Sequence, residues 1–223
     1  MRKTFHEKLD EVTEDLIAMG SLVQNTVNDA INALINADVE LAQKVIDNDS
    51  KIDDYDVMIE EKCMYIQAEH QPVAGDLRLI HSIYIIVIYV ERIGDISVSI
   101  AKLAKRLYIE DKSKINKEIQ DILIEMGNVV KQILDKALKA FKNKDAKLAS
   151  RLEQMDDTID NLQKTLYHRL YSTHSMDEEY IRMVTNMSLA SRYLERIGDN
   201  SVNIGDRVVY YLTGDFKAIH SDD

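Results

Sequence analysis

Of the 223 residues, Pro72 is the only proline, Cys63 the only cysteine, and tryptophan is absent. One cysteine forms no intrachain disulfide and supplies no multi-thiolate metal site within the chain. Seven glycines and one proline leave little turn punctuation, which excludes a hairpin-rich β architecture. Three phenylalanines and no tryptophan require an aliphatic core of Leu, Ile, Val, Met and Ala. The longest apolar run, Ile83 to Val90, is too short to span a bilayer. The segment Met1–Glu7 turns polar at once and lacks a signal-peptide core, which predicts a cytoplasmic protein. Positive charge is outnumbered, 28 Lys and Arg against 39 Asp and Glu: the net charge of −11 argues against nucleic acid and anionic membranes as main partners and suits cations or basic protein surfaces.

What is present is helical periodicity. With 45% hydrophobic and 30% charged residues, the composition predicts an all-α fold of six long helices. Thr4-x-x-Glu7 reads as a capping box opening the first helix, whose apolar face runs from Leu9 to Leu34. Asp38 reads as the N-cap of a second helix running towards Ile66. Gln71-Pro72 breaks it, since proline disfavours helix at the preceding residue and donates no hydrogen bond. The third helix starts near Val73 or Ala74 and ends around Leu107. A midpoint linker is expected at Tyr108–Ser113. Three more helices follow, with Asp145 capping the fifth, Ser175-x-x-Glu178 opening the sixth and Gly214 ending it.

The two halves repeat. Asp49-x-x-Ile52-Asp53 returns as Asp156-x-x-Ile159-Asp160, an offset of 156 − 49 = 107. Glu91-Arg92-Ile93-Gly94-Asp95 returns as Glu195-Arg196-Ile197-Gly198-Asp199, an offset of 195 − 91 = 104. The change in offset falls at the Pro72 turn. The chain therefore divides into a three-helix bundle at residues 1–108, a second at 113–214 and a polar tail at 215–223.

The repeated pentad is locally unfavourable. Its two carboxylates, four residues apart on one helix face, repel each other, and its glycine costs roughly 1 kcal/mol relative to alanine. Holding a cation between carboxylates would offset both. Each half has two such pairs on adjacent helices: Asp49/Asp53 with Glu91/Asp95, and Asp156/Asp160 with Glu195/Asp199. Four carboxylates so placed form an oxygen-rich site for hard or borderline divalent or trivalent ions: Mg, Mn, Fe, or Zn. Asn203 and Asp206 extend the stripe on the sixth helix, where the third helix has Ser99 and Lys102, so the sites should be unequal. The alternative is a solvated acid–arginine network using Arg78, Arg92, Arg182 and Arg196. Gly94 and Gly198 are expected to allow close helix approach. His81, His168 and His174 share no spacing and read as surface or helix-end residues, and no P-loop, G-x-S-x-G or HExxH is present.

These motifs, with Gln71-Pro72-Val73-Ala74-x-Asp76-Leu77-Arg78, resemble the PhoU family over nearly the whole chain. The resemblance implies two tandem three-helix bundles, metal at the acidic motifs and a homodimer. It further implies a negative regulator of the phosphate-starvation response and of phosphate uptake. That role is an adaptor between the phosphate ABC transporter ATPase and a sensor histidine kinase, peripheral to the membrane through these partners only. A non-enzymatic regulatory adaptor is thus the leading reading. A metal-dependent hydrolase or oxidase on a helical bundle is the alternative. It would need an open coordination position and a positioned acid or base, whereas the motifs supply carboxylates and arginines.

Overall fold

The structure is a computed structural model that describes residues 2–109, 117–172 and 177–215. Its helices are α1 (Arg2–Asn36), α2 (Val39–Asp47), α3 (Asp49–His70), α4 (Ala74–Ile109), α5 (Lys117–Asn143), α6 (Ala146–Ala149), α7 (Leu152–Tyr171) and α8 (Glu178–Thr213). The all-α class and the duplicated three-helix plan hold. The expected second and fifth helices are each interrupted, at Asn48 and at Ser150–Arg151, giving α2/α3 and α6/α7.

Local chemistry explains most boundaries. Asp38 and Asp145 act as N-caps, accepting from the Leu41 and Leu148 amides at 2.9 Å. Gln71 takes a left-handed φ of 47° after α3, and Pro72 follows. Gly214, at φ 77°, closes α8 by donating to the Tyr210 carbonyl at 2.7 Å. Of the two expected capping boxes, the first does not form. Thr4 lies inside α1, which already starts at Arg2. Ser175 lies outside the described residues, and Asp177 caps α8 instead, accepting from the Tyr180 amide at 2.7 Å. Of the expected linker, Tyr108 and Ile109 belong to α4, and 110–113 fall outside the described residues.

The core is aliphatic and continuous through both halves, from Leu16, Met19 and Ile31 through Ile52, Ile59, Ile83 and Ile93 to Met126, Ile133 and Ile159. Each such side chain contributes about 1.5–3 kcal/mol on full burial. α1 packs on α2, α3 and α4, and α5 packs on α6, α7 and α8. The halves then join α4 to α8 and α1 to α5. Two reciprocal contacts define how. A Cβ on Gly20 of α1 would lie 2.7 Å from Leu138 of α5, and one on Gly127 of α5 would lie 2.9 Å from Ile31 of α1. Adding 107 to 20 and 31 gives 127 and 138, so the two contacts exchange under the repeat. α4 and α8 are likewise antiparallel. Arg78, near the start of α4, lies against Gly214 at the end of α8, and Leu107 lines one small apolar cavity with Met187. The halves are therefore related by an internal two-fold passing between α1 and α5 and between α4 and α8. No helix of the described residues is long and apolar enough to cross a membrane.

Candidate metal centres

α3 and α4 form an antiparallel hairpin turned at Pro72. On α3, Asp49, Asp53, Asp56 and Glu60 recur at i, i+4, i+7 and i+11 and share one face. Tyr84, Ile88, Glu91 and Asp95 do the same on α4. The hairpin brings the rows together: Asp95 acts on Asp49, Asp53 and Asp56 act on Glu91, and the Tyr84 hydroxyl donates to Glu60 Oε1 at 3.1 Å. In the second half, Asp156 and Asp160 on α7 meet Glu195 and Asp199 on α8. The eight carboxylates of the repeated motifs are thus gathered as two groups of four. Asn203 and Asp206 lie half-buried on the same α8 row, one and two turns beyond Asp199.

The pentad glycines set the approach of the helices. A Cβ on Gly94 would sit 3.0 Å from Ile52 Cδ1. The Gly198 position is tighter: a Cβ there would collide with Asp156 Oδ1 and lie 2.7 Å from Ile159 Cδ1. Asp156 Oδ1 is itself buried with no hydrogen-bond partner. An acceptor held this way is costly unless a proton or cation satisfies it.

The electrostatics agree. Burial raises the Asp156 carboxyl to about 7, helped by Asp199, Asp160, Glu195 and Asp157. Burial also raises Glu91 to about 7, with Asp95, Asp56 and Asp53 adding and Arg92 opposing. Asp49, Asp56, Glu195 and Asp199 are shifted upward, each chiefly by burial and then by neighbouring carboxylates. Lys102 pulls Asp49 back down, and Arg192 does the same to Glu195.

The arginines considered from sequence differ in their surroundings. Arg92 turns over the Tyr89 ring, 5.9 Å from its centroid. Arg182 pairs with Glu178 at 2.7 Å, and Arg78 packs against the end of α8. Arg92 offsets part of the charge on Glu91, and Arg196 part of that on Glu195 and Asp199, while burial and the neighbouring carboxylates outweigh them. Among the described residues no three His, Cys, Asp or Glu side chains already converge on a common metal position, so binding an ion requires the facing carboxylates to rotate inward.

His81 and His168 are exposed, and His174 lies outside the described residues. Cys63 is buried on α3, where burial pushes its thiol up to about 12, so it offers no thiolate. Sequence reasoning missed Tyr84 as a partner of the first row. Only the hairpin register, which pairs residue 60 with 84, would have revealed it.

α1 lies behind α3 and α4, tied to α3 by Lys62, which bonds Glu11 and Asp15 at 2.5 and 2.7 Å. α5 lies behind α7 and α8. The internal two-fold carries one hairpin onto the other.

A family model described as the PhoU domain matches residues 16–104 and again 123–208. The chain is 42% identical over 211 residues to the phosphate-specific transport system accessory protein PhoU homolog of Pseudomonas aeruginosa, covering 94% of this chain and 86% of that protein. It is 31% identical over 220 residues to the phosphate-specific transport system accessory protein PhoU of Escherichia coli, covering 98% of this chain and 90% of that one. Among solved structures, PhoU from Pseudomonas aeruginosa superposes with a TM-score of 0.88 at 41% identity, covering 95% of this chain and all of that one. The phosphate transport system regulatory protein PhoU from Streptococcus pneumoniae superposes with a TM-score of 0.85 at 30% identity, covering 95% and 98%.

Proposed function

The chain belongs to the PhoU family, and from that premise we propose that it is an accessory protein of phosphate-specific transport, acting in the cytoplasm as a negative regulator of phosphate uptake and of the phosphate-starvation response. In this reading it links the transporter ATPase to a sensor histidine kinase through protein contacts, as a homodimer, and carries out no reaction itself. The support is a match along nearly the whole chain to proteins named as accessory proteins of phosphate-specific transport.

The same reading assigns metal to the two groups. Asp49, Asp53, Glu91 and Asp95 would hold an ion in the first half. Asp156, Asp160, Glu195 and Asp199, with Asn203 and Asp206 further along α8, would serve the second. The donors are all oxygen, which suits Mg, Mn, Fe or Zn in that general class of hard and borderline ions. The buried, unpartnered Asp156 Oδ1 is the observation that carries this assignment. A bound cation would supply positive charge that ties α3 to α4 and α7 to α8. The chain's own contribution is the spacing of the rows, set by Gly94 and Gly198, and the rigidity of the helices that bear them.

The regulatory reading is tested in a strain lacking this gene and any paralogue. Phosphate-starvation genes should be expressed even in rich phosphate, and the intact gene should restore repression. Normal repression in the deletion strain overturns it. The metal assignment is tested separately, by elemental analysis of protein purified without chelator or affinity-tag metal.

A further inference from the structure

The internal two-fold provides a control for every surface residue, because each position of the first half has a counterpart in an equivalent place in the second. Most of the core and both pentads are kept between halves. The outer surface around the acidic rows is not. On α3, Val57 is 55% exposed and Met64 is 54% exposed, and both stand beside the carboxylate row. On α4, Tyr84 and Ile88 are half-buried on the other side of it. The counterparts of Val57, Tyr84 and Ile88 are Lys164, Ser188 and Arg192. The second half folds into the same hairpin with polar residues there, so packing does not require apolar ones in the first. Met64 and Leu77 differ less, since Tyr171 and Ile181 replace them and are also exposed. The distinctive surface is thus the middle of the first hairpin.

Its charge differs as well. Asp56, Glu60 and Glu61 stand where the second half has Gln163, Tyr167 and His168. The first hairpin therefore presents two apolar rails, Val57–Met64 and Tyr84–Ile88, with carboxylates between and beside them. The equivalent positions of the second hairpin, Lys164, Ser188 and Arg192 with Gln163, Tyr167 and His168, present neither the rails nor these carboxylates.

We propose that this face of α3 and α4 docks a basic amphipathic helix of a partner protein, whose aliphatic residues lie on Val57, Met64 and Ile88 and whose lysines or arginines meet Asp56, Glu60 and Glu61. Charge complementarity selects this occupant: a mainly acidic surface on a chain of net charge −11 repels a second acidic protein, and apolar rails with acidic edges match an apolar stripe with basic edges. A helix fits because apolar positions three, four and seven apart present one such stripe. The inference rests on the accessory role proposed above and names the chemistry of a partner, but its test in vitro is independent of any effect on phosphate genes.

The probe is a synthetic 18-residue helical peptide with leucines on one face and lysines flanking them, and a scrambled peptide of the same composition as control. Binding is followed by fluorescence anisotropy to the full-length, metal-free protein at physiological salt. The striped peptide should bind at least about tenfold tighter than the scrambled one. The triple variant Val57→Lys, Tyr84→Ser, Ile88→Arg carries residues the second half already tolerates, and it should lose that preference. The reciprocal variant Lys164→Val, Ser188→Tyr, Arg192→Ile, with Gln163→Asp, Tyr167→Glu and His168→Glu to restore the acidic edge, should gain a second site, raising the stoichiometry from one to two. The reciprocal variant decides the matter if the first does not fold. Equal affinity for both peptides, or unchanged binding in a folded triple variant, overturns the proposal. Sedimentation showing that the triple variant abolishes self-association of the wild-type chain would assign the surface to a second copy and equally overturn it.

Discussion

At the residue scale, Asp156 concentrates the chemistry of the second acidic group. Its Oδ1 is buried without a partner, and its carboxyl is raised to about 7. In the metal-free protein the sign of the pH effect follows directly. A carboxyl whose folded value exceeds its unfolded one holds a proton more tightly when folded, so it favours folding at low pH. That contribution is lost as pH rises from the ordinary carboxylate range through about 7, and Glu91 behaves likewise. Chelated protein should therefore melt at a lower temperature at pH 8 than at pH 5.5, and Asp156→Asn should flatten the dependence. A melting temperature that rises over this interval would contradict the assignment. The pentad glycines give a second test. Gly198→Ala forces a methyl into Asp156 and Ile159, and overpacking of this kind costs typically about 1–3 kcal/mol against roughly 1 kcal/mol gained in helix propensity. Gly94→Ala meets only the side chain of Ile52, at 3.0 Å from its flexible tip. Thermal melts should show the second-half variant to be the less stable of the two.

At the element scale, the two hairpins differ in what surrounds their carboxylates. Lys102 acts on Asp49, while its counterpart by the 104-residue offset is Asp206. A lysine beside the first group competes with a metal cation for the same carboxylates. Asp199→Asn should therefore lose more bound metal than Asp95→Asn, and Lys102→Asp should raise occupancy of the first group. Elemental analysis of the three variants checks both statements, and equal loss from the two Asn variants would refute the inequality. The helices and their pairing were legible from periodicity, the Asp38 and Asp145 caps and the Pro72 turn, because those signals are local. The breaks at Asn48 and Ser150–Arg151 were not, because neither involves proline or glycine. In the second half the break lies where α8 packs closely against it: a Cβ on Gly205 would sit 3.2 Å from the Ala149 carbonyl and 2.7 Å from Leu152. That is tertiary packing, which no neighbouring residue announces. The break also fixes the site, since it makes Asp49 the first residue of α3 while Asp156 stands a full turn inside α7. The carboxylate pairs were visible as repeats, but the buried oxygen of Asp156 depends on how closely α7 meets α8.

At the scale of the whole molecule, the halves are not beads on a string. α4 against α8 and α1 against α5 bury apolar surface that neither half covers alone. Residues 1–109 and 117–223, produced as separate chains, should therefore associate one to one when mixed, whereas each alone should bind a hydrophobic dye. Two well-behaved, non-associating fragments would show that the shared core is dispensable. The reciprocal contacts, Gly20 with Leu138 and Gly127 with Ile31, carry a consequence about origin. Contacts that exchange under a two-fold are those of a symmetric dimer. They imply an ancestor of about half this length, in the usual size range of single domains, that paired with its own copy before duplication fused the two. Identical subunits are bound to mutate in step. Once joined in one gene, the copies were released from that obligation, and the lysine at 102 and the isoleucine at 88 are divergences that only a fused descendant could accumulate on one side.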